Sequence, residues 1–301
     1  MSEVIVAADL FELELELPNS DLQAASARLV GFENRYQRLH RDLRLMSDPA
    51  ELSAWSKKHH HKELALCSAV ADRYPLVIFA GDVGTGKTAT AECASDRLAR
   101  ESHKEAMLFK LSTRVRGSGK VGQMSSLLNN AFEVVAKQAG KTRHAFLIID
   151  EADSLVSTRD AGQSHHEDKV AVNTIIQKVD DLRRHSGRIL VFLCTNRAGA
   201  LDPAIVRRAA RTEMFDRPTD KEREELLRMD LDGLNVKEDV LRELVRLTGP
   251  REGQPGFTFS DLRSKLLPDA LCRAFPTRPL TGDDLIQAAI EVRPSPAVRG
   301  A

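Results

Sequence analysis

An apolar run, Leu76-Val77-Ile78-Phe79-Ala80, leads into Gly81-Asp82-Val83-Gly84-Thr85-Gly86-Lys87-Thr88, which has the GxxxxGKT spacing of a phosphate-binding loop. The chemistry this predicts is binding of a nucleoside triphosphate. The glycines let successive backbone N–H groups turn in on phosphate oxygens, Lys87 reaches the outer phosphates, and the Thr88 hydroxyl is placed to ligand Mg2+. A helix expected from about Gly86 adds the positive end of its dipole. A chance glycine-rich turn would lack this context of an apolar strand before the loop and a helix-forming run, Thr90 to Arg100, after it.

Two further strand candidates end in polar residues suited to the same chemistry. Ala145 to Ile149 delivers Asp150-Glu151 to the carboxyl end of a sheet strand, where open α/β sheets bind ligands. There Asp150 is suited to hold Mg2+ through a water and Glu151 to polarise the water that attacks the γ-phosphate. Capping of the next helix is the other use of such a pair. Ile189 to Cys194 ends in Thr195-Asn196, so Asn196 is a candidate to hydrogen-bond the γ-phosphate or the attacking water, although Thr-Asn is also ordinary loop chemistry. After the helix start Asp202-Pro203 come Arg207, Arg208 and Arg211, three guanidiniums within five residues. They suit either a surface salt-bridge cluster or a triphosphate bound by a neighbouring molecule, where an arginine finger is worth about 10^3 to 10^5 in rate.

These residues need a sheet to carry them, and the chain of 301 residues has room for about two domains, or one α/β domain with an appendage. Strands are expected at 76–80, 106–111, 145–149, 189–194 and 212–216, with helices near 87–101, 123–138, 168–185 and 203–209 between them. This alternation predicts an α/β fold, a parallel sheet with helices on both faces. Asp216-Arg217-Pro218-Thr219 marks a change, beyond which only amphipathic helical stretches occur, about 220–232, 236–247, 259–274 and 282–292, a small helical lid. Ahead of the loop, residues 3–17 alternate, with Phe11, Leu13, Leu15 and Leu17 opposite Glu12, Glu14 and Glu16. They predict a strand with one apolar and one acidic face, either an edge strand on this chain's own sheet or an intermolecular contact. Helix follows from Asp21 to about Met46, interrupted at Val30-Gly31-Phe32, and Ser47-Asp48-Pro49 opens another running through Trp55 toward Val70. The expected segments are 1–29 as an extension, 30–217 as the nucleotide-binding domain, 218–295 as the lid and 296–301 as a tail.

Composition removes several function classes. Lys plus Arg equals Asp plus Glu at 44 each, so no global positive field exists to hold nucleic acid, and one Trp with two Tyr offers little base stacking. Cys67, Cys93, Cys194 and Cys272 lack CxxC spacing, which argues against a disulfide framework or a zinc site. His59-His60-His61 and His165-His166 lack the i, i+4 geometry of a helical metal site and read as solvated surface. No basic leader and no apolar run of membrane-spanning length is present, so no membrane partner and a cytoplasmic location are expected.

The segments GDVGTGKT, FLIIDEADSL, CTNRAGALDPAIVRRA and a helical stretch closing with DDLIQAAIEVRPS resemble an AAA+ ATPase over residues 30 to about 295. The stretch EDKVAVNTIIQKVDDLRRHSGRILVFLCTN followed by LDPAIVRRAA resembles most the pachytene checkpoint, or thyroid receptor-interacting protein 13, type of that superfamily. The resemblance implies a homohexameric ring, ATP and Mg2+ bound between subunits, and a HORMA-domain partner drawn into a central pore. For short bacterial members it implies antiphage signalling, in which disassembly of the HORMA complex switches a cyclic-oligonucleotide synthase off. It also implies a pore loop after the second strand, where Lys120 stands in Gly119-Lys120-Val121-Gly122 in place of the usual aromatic residue. Arg114, Arg116 and Lys120 make that loop basic, suited to gripping an acidic segment or to lying as a solvated turn, with Val121 and Gly122 completing it. Thr158 to Glu167 is a second pore-facing loop or an ordinary surface loop. Where the resemblance implies a nucleotide-contacting lid arginine at a helix start, this chain has Ser260, with Arg263 one turn later as the candidate. An alternative reading is a nucleotide-gated AAA+ loader or initiator-like module acting on DNA.

Overall fold

The structure, a computed structural model, describes residues 10–112, 123–154 and 166–298. The loop holding Arg114, Arg116, Lys120, Val121 and Gly122 lies outside the described residues, as do residues 3–9 and 158–165.

Among the described residues six strands form one sheet: β1 (Phe11–Leu17), β2 (Leu76–Gly81), β3 (Ala106–Leu111), β4 (His144–Ile149), β5 (Ile189–Thr195) and β6 (Arg211–Phe215). Their order is β1-β3-β4-β5-β2-β6, parallel throughout except for the antiparallel edge pair β1 and β3. The register sets Ala80 of β2 opposite Thr195 of β5, and Ile149 of β4 opposite Leu193 of β5. The residues following β2, β4 and β5 therefore emerge together on one rim, between adjacent strands.

Helices cover both faces, as the alternation of strand and helix predicts. Chain order gives α1 (Ser20–Ala27), α2 (Phe32–Ser47), α3 (Pro49–His60), α4 (Ala65–Ala71), α5 (Lys87–Ser102), α6 (Gln123–Ala139), α7 (His166–Leu182) and α8 (Pro203–Val206). Period two in the strands divides the core: Leu76, Ile78, Leu147 and Val191 pack with Phe132 of α6 and Ile175 of α7. On the opposite face Val77, Phe79, Phe146 and Phe192 pack with Tyr36 and Leu39 of α2 and Ala94 of α5.

The edge strand confirms one expectation and corrects another. Residues 11–17 do pair within the chain's own sheet, on β3. The register, however, shifts between Phe11 and Leu13, so the period-two face is broken at Glu12. Phe11 belongs to one core layer, whereas Leu13, Leu15 and Leu17 face the other. The helix expected through Val70 is two helices. His61 takes a left-handed conformation (φ 56°), and the Ser56 hydroxyl bridges the break, donating to the Lys62 carbonyl and accepting from the Leu64 N–H. The helix expected over 203–209 ends at Val206.

The remaining helices are α9 (Asp220–Asp230), α10 (Glu238–Thr248), α11 (Phe259–Asp261), α12 (Leu267–Ala274) and α13 (Gly282–Glu291), with a π-helical turn over Leu262–Leu266 joining α11 to α12. Capping boxes start three of them: Thr219 with Glu222, Thr258 with Asp261 and Thr281 with Asp284. They share an apolar cluster that includes Leu226, Leu244, Leu262 and Leu285, joined by Val30 from ahead of α2. Among the described residues, no helix is long and apolar enough to cross a membrane.

Candidate nucleotide site

The loop after β2 is shaped by contacts that exclude side chains. A Cβ on Gly81 (φ +150°) would lie 2.0 Å from the Phe215 carbonyl oxygen, so the strand exit passes directly against β6. A Cβ on Gly84 (φ +76°) would lie 2.6 Å from Ser260 Cβ and 2.8 Å from Thr258 Oγ1. The Ser260 N–H also donates to the Gly84 carbonyl at 3.1 Å, so the start of α11 rests on the phosphate loop. Asp82, Val83, Thr85 and Gly86 complete the turn: the Thr85 hydroxyl donates to the Asp82 carbonyl at 2.8 Å, and Gly86 is the N-cap of α5.

Lys87, at the first position of α5, is buried, and its Nζ donates to the carbonyls of Gly81 at 2.9 Å and Asp82 at 2.7 Å. Burial lowers its pKa, opposed by Asp150, Asp82 and other nearby anionic groups. These two carbonyls hold an ammonium where phosphate oxygens would compete for it.

Thr88 and Asp150 meet, the Thr88 hydroxyl donating to Asp150 Oδ2 at 2.7 Å. One hydroxyl and one carboxylate are hard oxygen donors of the kind Mg2+ takes while keeping waters and phosphate oxygens in its other positions. Among the described residues no cluster of three or more His, Cys, Asp or Glu is arranged to hold a metal. Glu151 follows in a left-handed conformation (φ 48°), exposed, with its N–H donating to Asp150 Oδ1 at 2.8 Å. A non-glycine residue held there is an outlier of the kind that gathers at functional sites.

Asp153 is a residue the sequence reading does not single out. Its Oδ1 accepts from the Thr195 hydroxyl at 3.0 Å and from the Asn196 N–H at 3.1 Å, tying the β5 exit to the turn after Glu151. The Asn196 backbone is thereby tied to Asp153, two residues after Glu151. The polar DEADS stretch held the signal, but only the β4–β5 register shows that its last Asp reaches β5.

The three arginines separate clearly. Arg208 grips Asp180 with two bonds, at 2.6 and 2.9 Å, and lies over the Tyr74 ring. Arg211 is held by Asp42 at 2.9 Å and Glu213 at 3.0 Å. Arg207 is exposed, and among the described residues its guanidinium has no ion pair or hydrogen bond. Arg263, the lid candidate, is turned to Asp230, with bonds of 2.5 and 3.0 Å.

A residue that the sequence reading takes only as part of a boundary joins the lid to the phosphate loop. Arg217, just after β6, donates to Asp82 Oδ2 at 2.6 Å, to the Gly256 carbonyl at 2.6 Å and to the Ser295 carbonyl at 2.9 Å. The Val298 N–H donates to the other Asp82 oxygen at 2.8 Å, and Ser295 bonds both oxygens of Asp261. Phosphate loop, lid and C-terminal segment therefore share one polar junction.

Residues 77–217, which contain the rim described above, match the family described as ATPase family associated with various cellular activities (AAA). Over 292 residues the chain is 52% identical to CD-NTase-associated protein 6 of Escherichia coli (strain KTE188), covering 97% of this chain and 98% of that one. It also superimposes on a chain of the E. coli MS115-1 HORMA:CdnC:Trip13 complex with a TM-score of 0.88 at 39% identity, over 96% of this chain and 98% of that one. For Rhizobiales Trip13 the TM-score is 0.71 at 34% identity, over 95% and 99% of the two chains. A nucleotide loop, an acidic pair and a polar strand end on one rim, in a fold shared along its length with these relatives, identify the chain as a member of the AAA ATPase family, in the group of CD-NTase-associated protein 6.

Proposed function

We propose that this chain is an ATP-hydrolysing remodeller of a HORMA-domain complex, working as a cytoplasmic homohexamer and acting as a negative regulator in antiphage cyclic-oligonucleotide signalling. The observation that carries the enzymatic part is the meeting of Thr88, Asp150 and Glu151 at the mouth of the phosphate loop. The likeness to a chain of a HORMA:CdnC:Trip13 complex supports the partner. In this reading Gly81 to Gly86 cradle the phosphates with their N–H groups and Lys87 leaves its two carbonyls for phosphate oxygen. Thr88 and Asp150 hold the metal side, where Mg2+ neutralises charge on the transferred phosphoryl group. Glu151 orients the attacking water, and Asn196, fixed through Asp153, hydrogen-bonds it.

Arg207 is the group that completes the site of a neighbouring protomer, since Arg208 and Arg211 are already engaged by Asp180 and by Asp42 with Glu213. Arg263 stays with Asp230 and serves the lid. The loop with Arg116, Lys120, Val121 and Gly122 grips the partner by charge in place of an aromatic side chain. Residues 30–217 act as the nucleotide-binding body, 218–295 as the lid, with 1–29 and 296–301 as extensions. The test is Glu151→Gln, tagged and expressed in the source cell. The variant should retain nucleotide, lose turnover and co-purify with a HORMA-fold protein. Steady-state hydrolysis at the wild-type rate would refute the role of Glu151, and capture without any HORMA-fold protein would refute the partner.

A further inference from the structure

Lys110, on β3, stands beside the metal-side carboxylate without belonging to any motif of the phosphate loop. Its Nζ lies 2.7 Å from Glu12 Oε1, 3.8 Å from Asp150 Oδ2 and 4.0 Å from Glu92 Oε1. The three carboxylates come from three elements: β1, the exit of β4, and α5 one turn beyond Thr88. The lysine side chain is 20% exposed, so its charge is only partly screened.

The position of Glu12 has an identifiable cause. Lys110 pairs in register with Leu13, which puts those two side chains on the face that carries α5. In an unbroken strand Glu12 would lie on the opposite face with Glu14 and Glu16. The register shift between Phe11 and Leu13 falls on Glu12 and re-aims it to Lys110. Glu12 stays exposed, as Glu14 and Glu16 are, but it is the carboxylate of the three that meets Lys110.

We infer that Glu12 and Lys110 are positioning residues that set how readily Thr88 and Asp150 accept Mg2+, Glu12 drawing the ammonium away from the carboxylate that the metal needs. The inference rests on the reading of Thr88 and Asp150 as the metal side. A cation on Asp150 Oδ2 competes with a divalent ion for the same oxygen, and the nearer Glu12 holds Lys110 off it. With Glu12 neutral, the ammonium closes on Asp150 and the metal must displace it. With Lys110 gone, Glu12 has nothing to act through. The edge strand thus reaches the chemistry through a single lysine.

The test titrates Mg2+ against binding of a fluorescent non-hydrolysable ATP analogue to the full chain, with anisotropy as the readout. Glu12→Gln should bind the analogue as wild type does in EDTA, but need about tenfold more Mg2+ for half-maximal tightening, a change of about 1.4 kcal/mol. Lys110→Met should need less Mg2+ than wild type, and Glu12→Gln with Lys110→Met should match Lys110→Met alone. A Glu12→Gln midpoint within twofold of wild type overturns the inference, as does a double variant that keeps the Glu12→Gln shift. If Glu12→Gln does not fold, Lys110→Met decides alone, and an unchanged midpoint overturns the idea. Wild-type binding indifferent to Mg2+ would instead overturn the metal-side reading itself.

Discussion

Replacing Arg217 by Met should loosen the lid from the phosphate loop, and the size of the effect follows from what the guanidinium holds. Its Nε meets Asp82 Oδ2 at 2.6 Å, and the two side chains are 14% and 13% exposed. Removing one partner from a buried ion pair costs about 3–5 kcal/mol, because the remaining charge keeps its desolvation penalty. Asp82 would retain the Val298 N–H, which moderates the loss, while the buried Gly256 would lose a partner for its carbonyl at 2.6 Å. A net loss near the lower bound, about 3 kcal/mol, corresponds to a fall in Tm of about 6–12 °C at about 2–4 °C per kcal/mol. Lys in place of Arg keeps the charge but not the fork that reaches Asp82, Gly256 and Ser295 together, and should recover less than half. Differential scanning calorimetry gives the Tm, limited proteolysis over 250–256 reports lid loosening, and calorimetric titration gives nucleotide affinity. An Arg217→Met protein with Tm within about 1 °C of wild type and unchanged affinity would refute the junction's role.

His144, at the start of β4, is buried, and burial together with Lys104 and Arg188 brings its pKa down to about 4. The folded state therefore holds it neutral: its contribution is complete above the unfolded pKa of about 6.5 and is lost as pH falls toward 4, with about 2 kcal/mol gone by pH 5. Urea unfolding at pH 7.5, 6 and 5 should show that loss in wild type and a flatter profile in His144→Leu; equal slopes would count against it. Arg208→Ala should lower stability by about 1–2 kcal/mol, through the half-exposed Asp180 pair, while keeping turnover within a few fold. Arg207→Ala should leave Tm unchanged and lower turnover by about 10^3-fold or more, measured by phosphate release; the opposite pattern would exchange their roles.

Much of the fold was legible because its signals are local. Apolar runs bounded by turns placed β2 to β6 within a residue or two, and capping residues with apolar periodicity placed the lid helices. The phosphate loop and the acidic pair were legible for the same reason, since spacing along the chain carries them. What escaped the sequence depends on partners far away in it. The alternation from Phe11 to Leu17 reads as one apolar face, but pairing with β3 inserts a bulge that sends Phe11 to one layer and Leu13 to the other. Asp153 and Arg217 reach their roles across 42 and 135 residues, which no window of the chain reveals. The arginine cluster showed its residue type but not its commitments, because Asp180 and Asp42 claim two of its members through tertiary contacts. His61 ends α3 in a left-handed turn that a run of three histidines does not announce.

The central claim is that hydrolysis occurs at a seam between protomers, with Glu151 on one side and Arg207 on the other. Glu151→Gln and Arg207→Ala proteins, each inactive alone, are mixed in equal amounts, allowed to exchange subunits, and assayed for phosphate release. In a head-to-tail ring about one seam in four then pairs an intact Glu151 with an intact Arg207, so hydrolysis should return to about a quarter of the wild-type rate per site. A mixture as inactive as its components, with subunit exchange demonstrated by mass photometry of tagged protomers, would contradict the shared site.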